Sequence, residues 1–591
     1  MDLLRSDFDP ALILQQKRRI KRELLQKPGL IPKKVALMSG STIGEIKNIL
    51  ELFLLANGIR PEFYEGGYSL FFENLVFDDG SLKAFAPDFI YIHTSQRNLK
   101  LWPEAEDGAA ACEEKLNAEY ARFEQAARAA LGFGCPVVLN NFDLPLYRVM
   151  GNREGVDVHG RVRFVRRLNE KLAALAEATP NLYINDLAYL QAVYGMDRFS
   201  DPTAWYAYKY AVSLECLPYL CQSVANIIKS LLGKNKKALA LDLDNTLWGG
   251  VIGDDGAEGI VMGNETPAGM AYAEFQGYLK ALGKLGILLN VCSKNEESIA
   301  RTGFERADSV LKADDFLCFK ANWDPKHLNI AAMAKEINIL PESFVFVDDN
   351  PAEREIVRRE LPMVTVPELS CPEEYIAAID RAGWFEVTTL SADDKKRAEM
   401  YKQNAQRAAL EQSFGNYDDY LKSLDMVCEI GAFDAPHAER ITQLINKTNQ
   451  FNLTTRRYQP AEMEARAADP GYLTLAGRLE DKFGDNGIVT ELIAKLEGDR
   501  ADIELWIMSC RVFKRELEYA MFDELVAALR GRGVRTIVGR YYKTAKNAIV
   551  ADFYGSLGFV KTEQNGDDSV WEYQIPQQYE NKNHAIEVIH P

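Results

Sequence analysis

The chain has 591 residues, more than a single hydrophobic core usually supports, so its length predicts two to four domains. Its 86 acidic and 69 basic residues give a net charge of −17, which argues against general binding of nucleic acid but allows an anionic substrate in a locally basic cleft. The apolar share of 47% is that of a globular protein, and because no run approaches the length of a membrane-spanning helix, we expect no membrane partner.

Cysteines and the first residues indicate the compartment. The nine cysteines are dispersed without CxxC pairs, as in proteins that keep free thiols in a reducing cytoplasm. The six histidines lie far from the cysteine and histidine spacing of a zinc site. The stretch Met1–Asp7 has neither a long apolar region nor a small-residue cleavage site, so it is not a secretory signal. We therefore expect a cytoplasmic protein.

The first segment, residues 1–232, alternates short apolar runs with amphipathic stretches such as Glu45–Ala56. Strands that alternate with helices predict a parallel α/β sheet. The runs that we interpret as buried strands are Val35–Met38, Phe89–Ile92, Pro136–Leu139 and Asn181–Ile184. A short basic break, Gly233–Lys237, follows and is the expected domain boundary.

Two further segments follow this break. Residues 233–390 form a second α/β unit, and continuous apolar runs indicate central parallel strands that are covered on both faces. Those runs are Ala238–Leu241, Ile287–Val291 and Phe344–Val347. Residues 391–591, with the main body from about Asp393 to Tyr573, predict an α+β domain. Its polar tail after Ile575 is expected to be mobile.

Two carboxylates come directly after the first strand of the second unit. Asp242 and Asp244 are two residues apart and point the same way at the carboxyl end of a buried strand, where the clefts of open α/β sheets lie. Two such anions favour a shared cation, and oxygen ligands suit Mg²⁺ completed by substrate phosphate. The alternative is an acidic turn without function, and the short Asp-x-Asp-x-Thr pattern alone leaves the two interpretations about equally open.

Later strands end in residues of matching chemistry. Ser293 offers a hydroxyl to a phosphoryl oxygen, Lys326 offers a cation, and Asp348 and Asp349 can complete a metal site. Each residue alone has a simpler explanation as a helix cap, a solvated lysine or a capping turn. Their order and their placement at strand ends favour the functional interpretation.

This order resembles the four signature motifs of the haloacid dehalogenase (HAD) superfamily. The resemblance implies that Asp242 attacks phosphorus to form an aspartyl-phosphate and that Asp244 acts as general acid and then base. It implies that Thr246 shapes the loop and, with Ser293, Asn295 and Lys326, belongs to the substrate-binding set. The metal ligands that it implies are Asp242, Asp244, Asp348 and Asp349.

The spacing of these motifs bears on the size of the substrate. Thr246 and Ser293 are 47 positions apart, a stretch that already holds the predicted helix Met270–Leu285, and Ser293 and Lys326 are 33 positions apart. Neither interval leaves room for the cap domain that covers many HAD active sites. By analogy with that superfamily, the open site would admit a bulky or macromolecular substrate.

Longer motifs resemble the FkbH-like branch of the superfamily, HAD subfamily IIIC, across nearly the full chain. The stretches that carry this resemblance are Asp242–Gly256, Cys292–Asn295, Asn322–Lys326, Val347–Arg354, Thr448–Thr454 and Asp481–Gly487. The resemblance implies dephosphorylation of a phosphorylated three-carbon acid and transfer of the glyceryl group to the phosphopantetheine thiol of an acyl carrier protein. Cys292 is then a candidate acyl acceptor, whereas a buried core cysteine is the commoner state of a free thiol.

The flanking domains resemble two other families. The first segment is similar to SGNH hydrolases, with Ser39-Gly40-Ser41 after the first strand, but Ala204 stands where their catalytic histidine belongs, which implies a binding or docking module. The third segment is similar to GNAT acyltransferases, with a strand at Ile503–Met508 and a helix at Leu517–Leu529. Its turn Arg511–Glu516 lacks the glycines with which that family meets pyrophosphate, so binding of coenzyme A is not expected. In this turn, Lys514 and Arg515 could attract an acidic carrier protein or be merely solvated.

The sequence therefore predicts a three-domain Mg²⁺-dependent phosphatase or phosphotransferase coupled to acyl transfer. A plain phosphatase acting on a sugar phosphate or a phosphorylated biosynthetic intermediate is the main alternative. An assembly protein with a vestigial HAD domain is a third, against which the intact motif residues argue.

Overall fold

The computed structural model describes residues 4, 8–390, 396–411, 413–434, 437–448, 450–458, 460–544 and 546–591. Asp393, near the expected start of the third segment, and Asn449 of the Thr448–Thr454 motif lie outside the described residues. The chain divides into two compact units, Met1–Lys234 and Asn235–Pro591. The expected boundary at residue 390 falls inside the second unit and stays a prediction.

The first unit is built on five parallel strands. They are β1 (Ile31–Ser39), β2 (Ile59–Glu65), β3 (Phe89–His93), β4 (Val137–Asn140) and β5 (Leu182–Asn185). Their order in the sheet is β2-β1-β3-β4-β5. The four strands predicted for this segment are present, and β2 is a fifth that the sequence pattern did not indicate.

Helices cover both faces of this sheet. They are α1 (Pro10–Leu24), α2 (Gly44–Ala56), α3 (Phe71–Val76), α4 (Ser81–Phe85), α5 (Ala109–Leu131), α6 (Arg161–Ala178), α7 (Leu187–Tyr194), α8 (Met196–Phe199), α9 (Pro202–Tyr208) and α10 (Leu217–Leu231). Alternation along β1 places Val35 and Leu37 in one buried cluster with α2 and α10, and Ala36 and Met38 in another with α5. Burial on both faces explains why β1 reads as a continuous apolar run.

The second unit begins with four parallel strands in the order β8-β7-β6-β9. These strands are β6 (Ala238–Leu241), β7 (Leu288–Ser293), β8 (Cys318–Ala321) and β9 (Phe344–Val347). Six helices accompany them: α11 (Ile252–Gly259), α12 (Pro267–Lys284), α13 (Glu297–Gly303), α14 (Lys326–Glu336), α15 (Pro351–Glu360) and α16 (Tyr375–Asp380). The stretch between Thr246 and Ser293 holds α11 and α12 before it enters β7.

Strand β6 lies at the centre of this sheet and is buried on both faces. Leu239 and Leu241 belong to one apolar cluster, and Ala238 and Ala240 belong to the other. Because all four strands are parallel, their carboxyl ends meet along one edge. The loops that leave this edge carry the predicted site residues.

The remainder of the second unit is a mixed sheet with helices, as the α+β expectation requires. Its strands are β10 (Met426–Gly431), β11 (Phe451–Asn452), β12 (Tyr472–Asp481), β13 (Gly484–Glu497), β14 (Arg500–Met508), β15 (Thr536–Tyr541), β16 (Val560–Asn565), β17 (Asp568–Gln574) and β18 (Ile586–Ile589). Their order is β16-β17-β15-β14-β13-β12-β10-β18, with β11 beside β14. Its helices are α17 (Arg397–Glu411), α18 (Tyr417–Ser423), α19 (Ala438–Lys447), α20 (Pro460–Ala468), α21 (Leu517–Gly531) and α22 (Phe553–Ser556).

The carboxyl-terminal tail differs from the expectation of a mobile segment. Strand β18 pairs in parallel with β10, in a register that sets Ile586 opposite Met426. Backbone amides of Lys582 and Asn583 donate hydrogen bonds to the carboxylate of Asp523. The tail is polar, yet it contains the short edge strand β18, so the expectation of mobility was wrong.

A helix must be long and apolar to cross a lipid bilayer. Among the residues that the structure describes, no helix combines the length and the apolar character that a membrane crossing requires.

Candidate active site

Three carboxylates meet at the carboxyl edge of the second sheet. Asp242 follows β6, and Asp348 and Asp349 follow the neighbouring strand β9, in a register that pairs Leu241 with Val347. One carboxylate oxygen from each of the three lies within 4.8 Å of the others. Oxygens at this separation can share one small divalent cation.

The electrostatics of this carboxylate cluster fit a cation. Burial and the neighbouring charge of Asp242 raise the pKa of Asp348 to about 7. The same two causes raise the pKa of Asp349. Neighbouring carboxylates repel one another when they are all ionised. A hard cation such as Mg²⁺, which prefers oxygen ligands, offsets this repulsion.

Lys326 is the ammonium group of the site. It opens α14 directly after β8, and its Nζ lies 2.9 Å from Asp242 Oδ1 and 2.6 Å from Asp348 Oδ2. Burial alone would lower the pKa of Lys326, but the two carboxylates raise it above its usual range. The lysine is therefore a permanent cation placed between the expected nucleophile and the expected metal ligands.

A separate set of hydrogen bonds holds Asp244. Its Oδ1 accepts hydrogen bonds from the Trp248 indole and from the Ile252 backbone amide, both at 3.0 Å, and its Oδ2 accepts one at 2.8 Å from Asn295. The carboxylate is thus fixed by three donors beside the site. The structure does not bring it among the three acids that could hold a metal, and its predicted ligand role therefore lacks geometric support.

Two further predicted residues serve the geometry of the loops. Thr246 Oγ1 accepts a hydrogen bond from the backbone amide of Asp349, which ties the loop after β6 to the loop after β9. Asn295 Nδ2 donates to Asp244 and, at 3.1 Å, to Ser293 Oγ. Ser293 is buried at the end of β7. Asn295, predicted to bind substrate, is therefore placed to orient Asp244 and Ser293.

Two positioning residues were not identified from the sequence. The indole of Trp248 donates a hydrogen bond to Asp244, four residues earlier in the chain. Its ring packs against Gly303, where a Cβ atom would lie only 2.9 Å from the indole, so the absence of a side chain at Gly303 makes room for it. Arg354 donates to the backbone carbonyls of Asp348 and Asp349 and so fixes the turn after β9. Arg354 is the last residue of the motif Val347–Arg354. For Trp248, the available signal was an indole four residues after an acid in the same loop.

Cys292 does not face the carboxylate cluster. It lies in the apolar cluster with Met333 and Phe346, whereas its neighbour Val291 belongs to the cluster on the other face of the sheet. Its Sγ contacts the backbone carbonyl of Lys326 at 3.6 Å, and burial raises the pKa of the thiol well above its usual value. The predicted acyl-acceptor role has no geometric support, because strand alternation directs this side chain into the core.

The turn from β14 to α21 is closed by its own side chains. Lys514 and Glu516 have φ values of 63° and 60°, in the left-handed region that favours glycine. Arg515 is buried and donates a hydrogen bond to Asp481 at 3.0 Å. It is one of the two basic residues that could attract a carrier protein, and its side chain points into the protein. Of the two basic residues, only Lys514 is exposed.

Comparisons with known proteins agree with this site. A family model described as FkbH, N-terminal domain, matches residues 54–229. A crystal structure of the N-terminal part of the protein BF1531 from Bacteroides fragilis, containing a phosphatase domain and complexed with Mg, shares 31% identity; the match covers 63% of this chain and 99% of that chain with a TM-score of 0.59. The chain belongs to the FkbH-like family of HAD phosphatases. The parallel sheet β6–β9 of this FkbH-like chain thus carries its acidic motif residues in a phosphatase fold.

Other comparisons concern shorter stretches. The ribosomal-protein-S18-alanine N-acetyltransferase of Escherichia coli matches 27% of the chain and all of its own length at 16% identity, with a TM-score of 0.21. The PaiA N-acetyltransferase of Thermoplasma acidophilum in complex with coenzyme A matches 25% of the chain and 98% of its own length at 14% identity, with a TM-score of 0.19. TM-scores this low support no inference about activity. The curated proteins include no significant match.

Proposed function

We propose that the chain is a Mg²⁺-dependent phosphatase that transfers a phosphoryl group from a phosphorylated three-carbon acid to Asp242. The observation that carries this proposal is the contact of one lysine, Lys326, with both Asp242 and Asp348 inside a cluster of three acids. A nucleophilic carboxylate needs a cation beside it to approach an anionic phosphoryl group. Mg²⁺ held by Asp242, Asp348 and Asp349 would supply further positive charge for the phosphoryl oxygens.

The residues divide the reaction into two displacements. A carboxylate oxygen of Asp242 attacks phosphorus, the bond to the leaving oxygen breaks, and Asp244 gives that oxygen a proton. Lys326 and the Ser293 hydroxyl hold the phosphoryl oxygens during this step. Water then attacks the aspartyl-phosphate, its proton passes to Asp244, and inorganic phosphate leaves. The hydrogen bonds from Trp248 and Asn295 would hold the Asp244 carboxylate in one orientation for both steps.

The proposal extends to the fate of the acid. The phosphopantetheine thiol of an acyl carrier protein would attack the carbonyl carbon of a donor whose carboxyl group is itself phosphorylated; the bond from that carbon to the phosphate oxygen breaks, and inorganic phosphate leaves as the glyceryl thioester forms. The phosphate ester elsewhere on the same donor is the group that Asp242 removes. A plain phosphatase is the second candidate, and the buried position of Cys292 favours it, because that thiol cannot meet an acyl donor without leaving the core. Any acyl transfer by this chain then proceeds without an acyl group on Cys292.

The test of phosphoryl transfer compares the wild type with Asp242→Asn, which keeps the shape of the side chain and removes the nucleophile. Phosphate release from a phosphorylated glycerate should fall by at least about a thousandfold, and the wild type should lose activity in EDTA and recover it with Mg²⁺. A matched control, Asp254→Asn on α11, should keep full activity because Asp254 is exposed. Undiminished turnover by Asp242→Asn, or by metal-free wild type, would remove the proposed site.

The test of coupling adds a phosphopantetheinylated carrier protein and uses a glycerate that is phosphorylated on its carboxyl group as well as on a hydroxyl. Intact-mass measurement should find the carrier heavier by one glyceryl group only when substrate and Mg²⁺ are both present. Phosphate release with an unchanged carrier mass would leave the plain phosphatase as the function.

A further inference from the structure

The loop from β4 to α6 in the first unit, with the first turns of α6, differs in charge from the rest of the chain. Residues 147–167 contain six arginines, two acids and no lysine, whereas the whole chain has a net charge of −17. Four of these arginines are exposed, namely Arg148, Arg153, Arg161 and Arg166. A positive surface on an acidic protein attracts a partner of opposite charge.

The two acids of this stretch leave part of the positive charge uncompensated. Glu154 is buried, and Asp157 pairs with Arg153 at 2.8 Å. The exposed Arg148 and Arg166 form no ion pair with any residue that the structure describes. Their guanidinium groups are therefore available to the carboxylates of a partner.

Three large apolar side chains are exposed on the same loop. Tyr147 is 75% exposed, Val149 81% and Val156 69%, and Val149 is the most exposed large apolar side chain that the structure describes. Apolar surface of this kind marks interaction sites where it adjoins polar residues. Because tyrosine and arginine are enriched in protein interfaces and lysine is depleted, the composition of this loop is that of an interface.

The backbone beneath these side chains is fixed from inside. The buried carboxylate of Glu154 accepts hydrogen bonds from the backbone amides of Val149 at 2.9 Å and of Met150 and Val162 at 3.3 Å. A Cβ atom on Gly160 would lie 2.1 Å from the Glu154 carbonyl oxygen, so only glycine permits this closure. A surface that is ordered in advance loses little conformational entropy on binding.

Helix α6 brings further arginines to this loop. Arg163 donates to the backbone carbonyl of Val156 at 2.5 Å, and the guanidinium of Arg166 lies 3.5 Å from the position that a Cβ atom on Gly155 would take. The exposed apolar and cationic side chains thus occur together on one short loop and the helix that follows it. We call this exposed set the arginine patch, and its members are Tyr147, Arg148, Val149, Val156 and Arg166.

The partner that fits the arginine patch is an acidic protein. Guanidinium groups bind carboxylates in bidentate pairs, and the exposed apolar side chains between them need the contact that a folded surface supplies. A nucleic acid would meet repulsion from the chain's net charge of −17, and Tyr147 is the single ring of the patch on which a base could stack. The carrier protein of the proposed function is an acidic protein. The turn before α21 keeps only Lys514 at its surface to attract it, because Arg515 is bound to Asp481.

We propose that the arginine patch docks the acyl carrier protein of the proposed function, whose carboxylates pair with Arg148 and Arg166 around apolar contacts to Tyr147 and Val149. The identity of the partner rests on the proposed coupling, whereas the surface is defined by residues of the first unit alone.

The test measures binding of the full chain to an acidic acyl carrier protein of fatty acid synthesis that lacks phosphopantetheine, so that no transfer can occur. Fluorescence anisotropy of the labelled carrier should show saturable binding that weakens as the salt concentration rises. Arg148→Glu and Arg166→Glu should each raise the dissociation constant by about tenfold, because a like charge then faces the carboxylates, and Tyr147→Ala should raise it by about fivefold. Matched controls on the same unit, the exposed Arg60→Glu and Tyr68→Ala, should leave binding unchanged.

Two further readouts separate the possible outcomes. Every variant should keep the wild-type melting temperature and release phosphate from a phosphorylated glycerate within about twofold of wild type, because the side chains changed are exposed and distant in sequence from the catalytic motifs. Carrier binding that the patch variants lose, without glyceryl transfer by wild type, would remove the coupling and keep the docking surface. Absence of saturable binding, binding that Arg148→Glu and Tyr147→Ala leave intact, or tighter binding of a single-stranded oligonucleotide that Arg148→Glu abolishes would each overturn the proposal.

Discussion

At the scale of single residues, the two sheets place similar polar groups in different electrostatic settings. Lys326 has two carboxylate oxygens within 3 Å of its Nζ and therefore stays charged. The acids around it are the proposed ligands of a metal ion. His93 is surrounded by neutral groups and stays uncharged. Burial therefore has opposite consequences for the two residues, because a buried charge persists only where a partner compensates it.

Changing Cys292 to alanine tests whether the core thiol takes part in catalysis. We expect phosphate release within about twofold of wild type and a stability loss of about 1 kcal/mol, since the change removes one buried sulfur atom. Steady-state kinetics and chemical denaturation measure the two effects. The exposed Cys371→Ala is the control for thiol loss as such. Loss of phosphate release in the Cys292 variant alone would return this residue to the mechanism.

The pH dependence of stability should reveal the buried imidazole of His93. Its pKa is about 4 in the folded chain, below the ordinary value of 6.5, so between these two pH values the unfolded chain binds the additional proton. Stability that is present above pH 6.5 is then lost as the pH falls towards 4, by an amount on the order of 2–3 kcal/mol. Denaturation of wild type and His93→Gln at pH 7 and pH 5 should show a smaller loss in the variant.

The exposed His584→Gln provides the control for this measurement. It should reproduce the wild-type loss between the two pH values. Equal slopes in wild type and His93→Gln would show that His93 titrates alike in the folded and unfolded chain.

At the scale of elements, the long carboxyl-terminal region is joined by one buried ion network. Asp481, at the end of β12, accepts from Arg407 on α17 at 2.6 and 2.8 Å and from Arg515 in the turn before α21 at 3.0 Å. The three residues are nearly inaccessible to solvent. The carboxylate of Asp481 thereby joins a helix, a strand and a turn that are distant in sequence.

Removing this carboxylate should therefore be costly. We expect Asp481→Asn to lower the free energy of unfolding by about 3–5 kcal/mol, because two buried guanidinium groups lose their counter-ion. The control is Asp485→Asn four residues later, whose pair with Arg478 is partly exposed and contributes at most about 1 kcal/mol. Urea denaturation of both variants measures the difference. Equal losses would show that burial does not distinguish the two pairs.

At the scale of the whole molecule, the chain consists of two units with separate chemistry. The carboxylate cluster and the residues that orient it lie within 235–591, and the buried polar atoms at the β1 and β3 ends that lack a partner among the described residues lie within 1–234. Even the entry to β6 is bonded inside the second unit, since Lys237 donates its backbone amide to Ser343. The carboxylate cluster is therefore shaped by contacts within the second unit.

Separating the units should preserve phosphoryl transfer. We expect a protein of residues 235–591 to hydrolyse p-nitrophenyl phosphate within about threefold of the full chain, because compact units with their own cores can fold alone. Circular dichroism and size-exclusion chromatography establish folding, and Asp242→Asn in the same fragment is the inactive control. A folded fragment without activity would show that the first unit contributes to catalysis.

The sequence by itself determined most strands of the two parallel sheets, the order of the acidic motifs and the family. Continuous apolar runs marked β1, β6 and β9, because strands covered on both faces have no polar positions, and polar side chains directly after β6, β7 and β9 marked the edge of the site. These patterns involve residues close together in the sequence, so they can be recognised without knowledge of the fold.

Only the tertiary structure decided which side chains face the site. Cys292 and Ser293 are adjacent in sequence, yet the pleat of β7 places the thiol in the core. The Asp244 carboxylate accepts hydrogen bonds from Trp248 and Asn295 and is not grouped with the three acids that could hold a metal. The partners of a buried polar group come from distant segments, so the unsatisfied nitrogen of His93 became visible only when β1, β3 and β4 lay side by side. A linear pattern specifies where polar groups occur, and packing specifies which of them find partners.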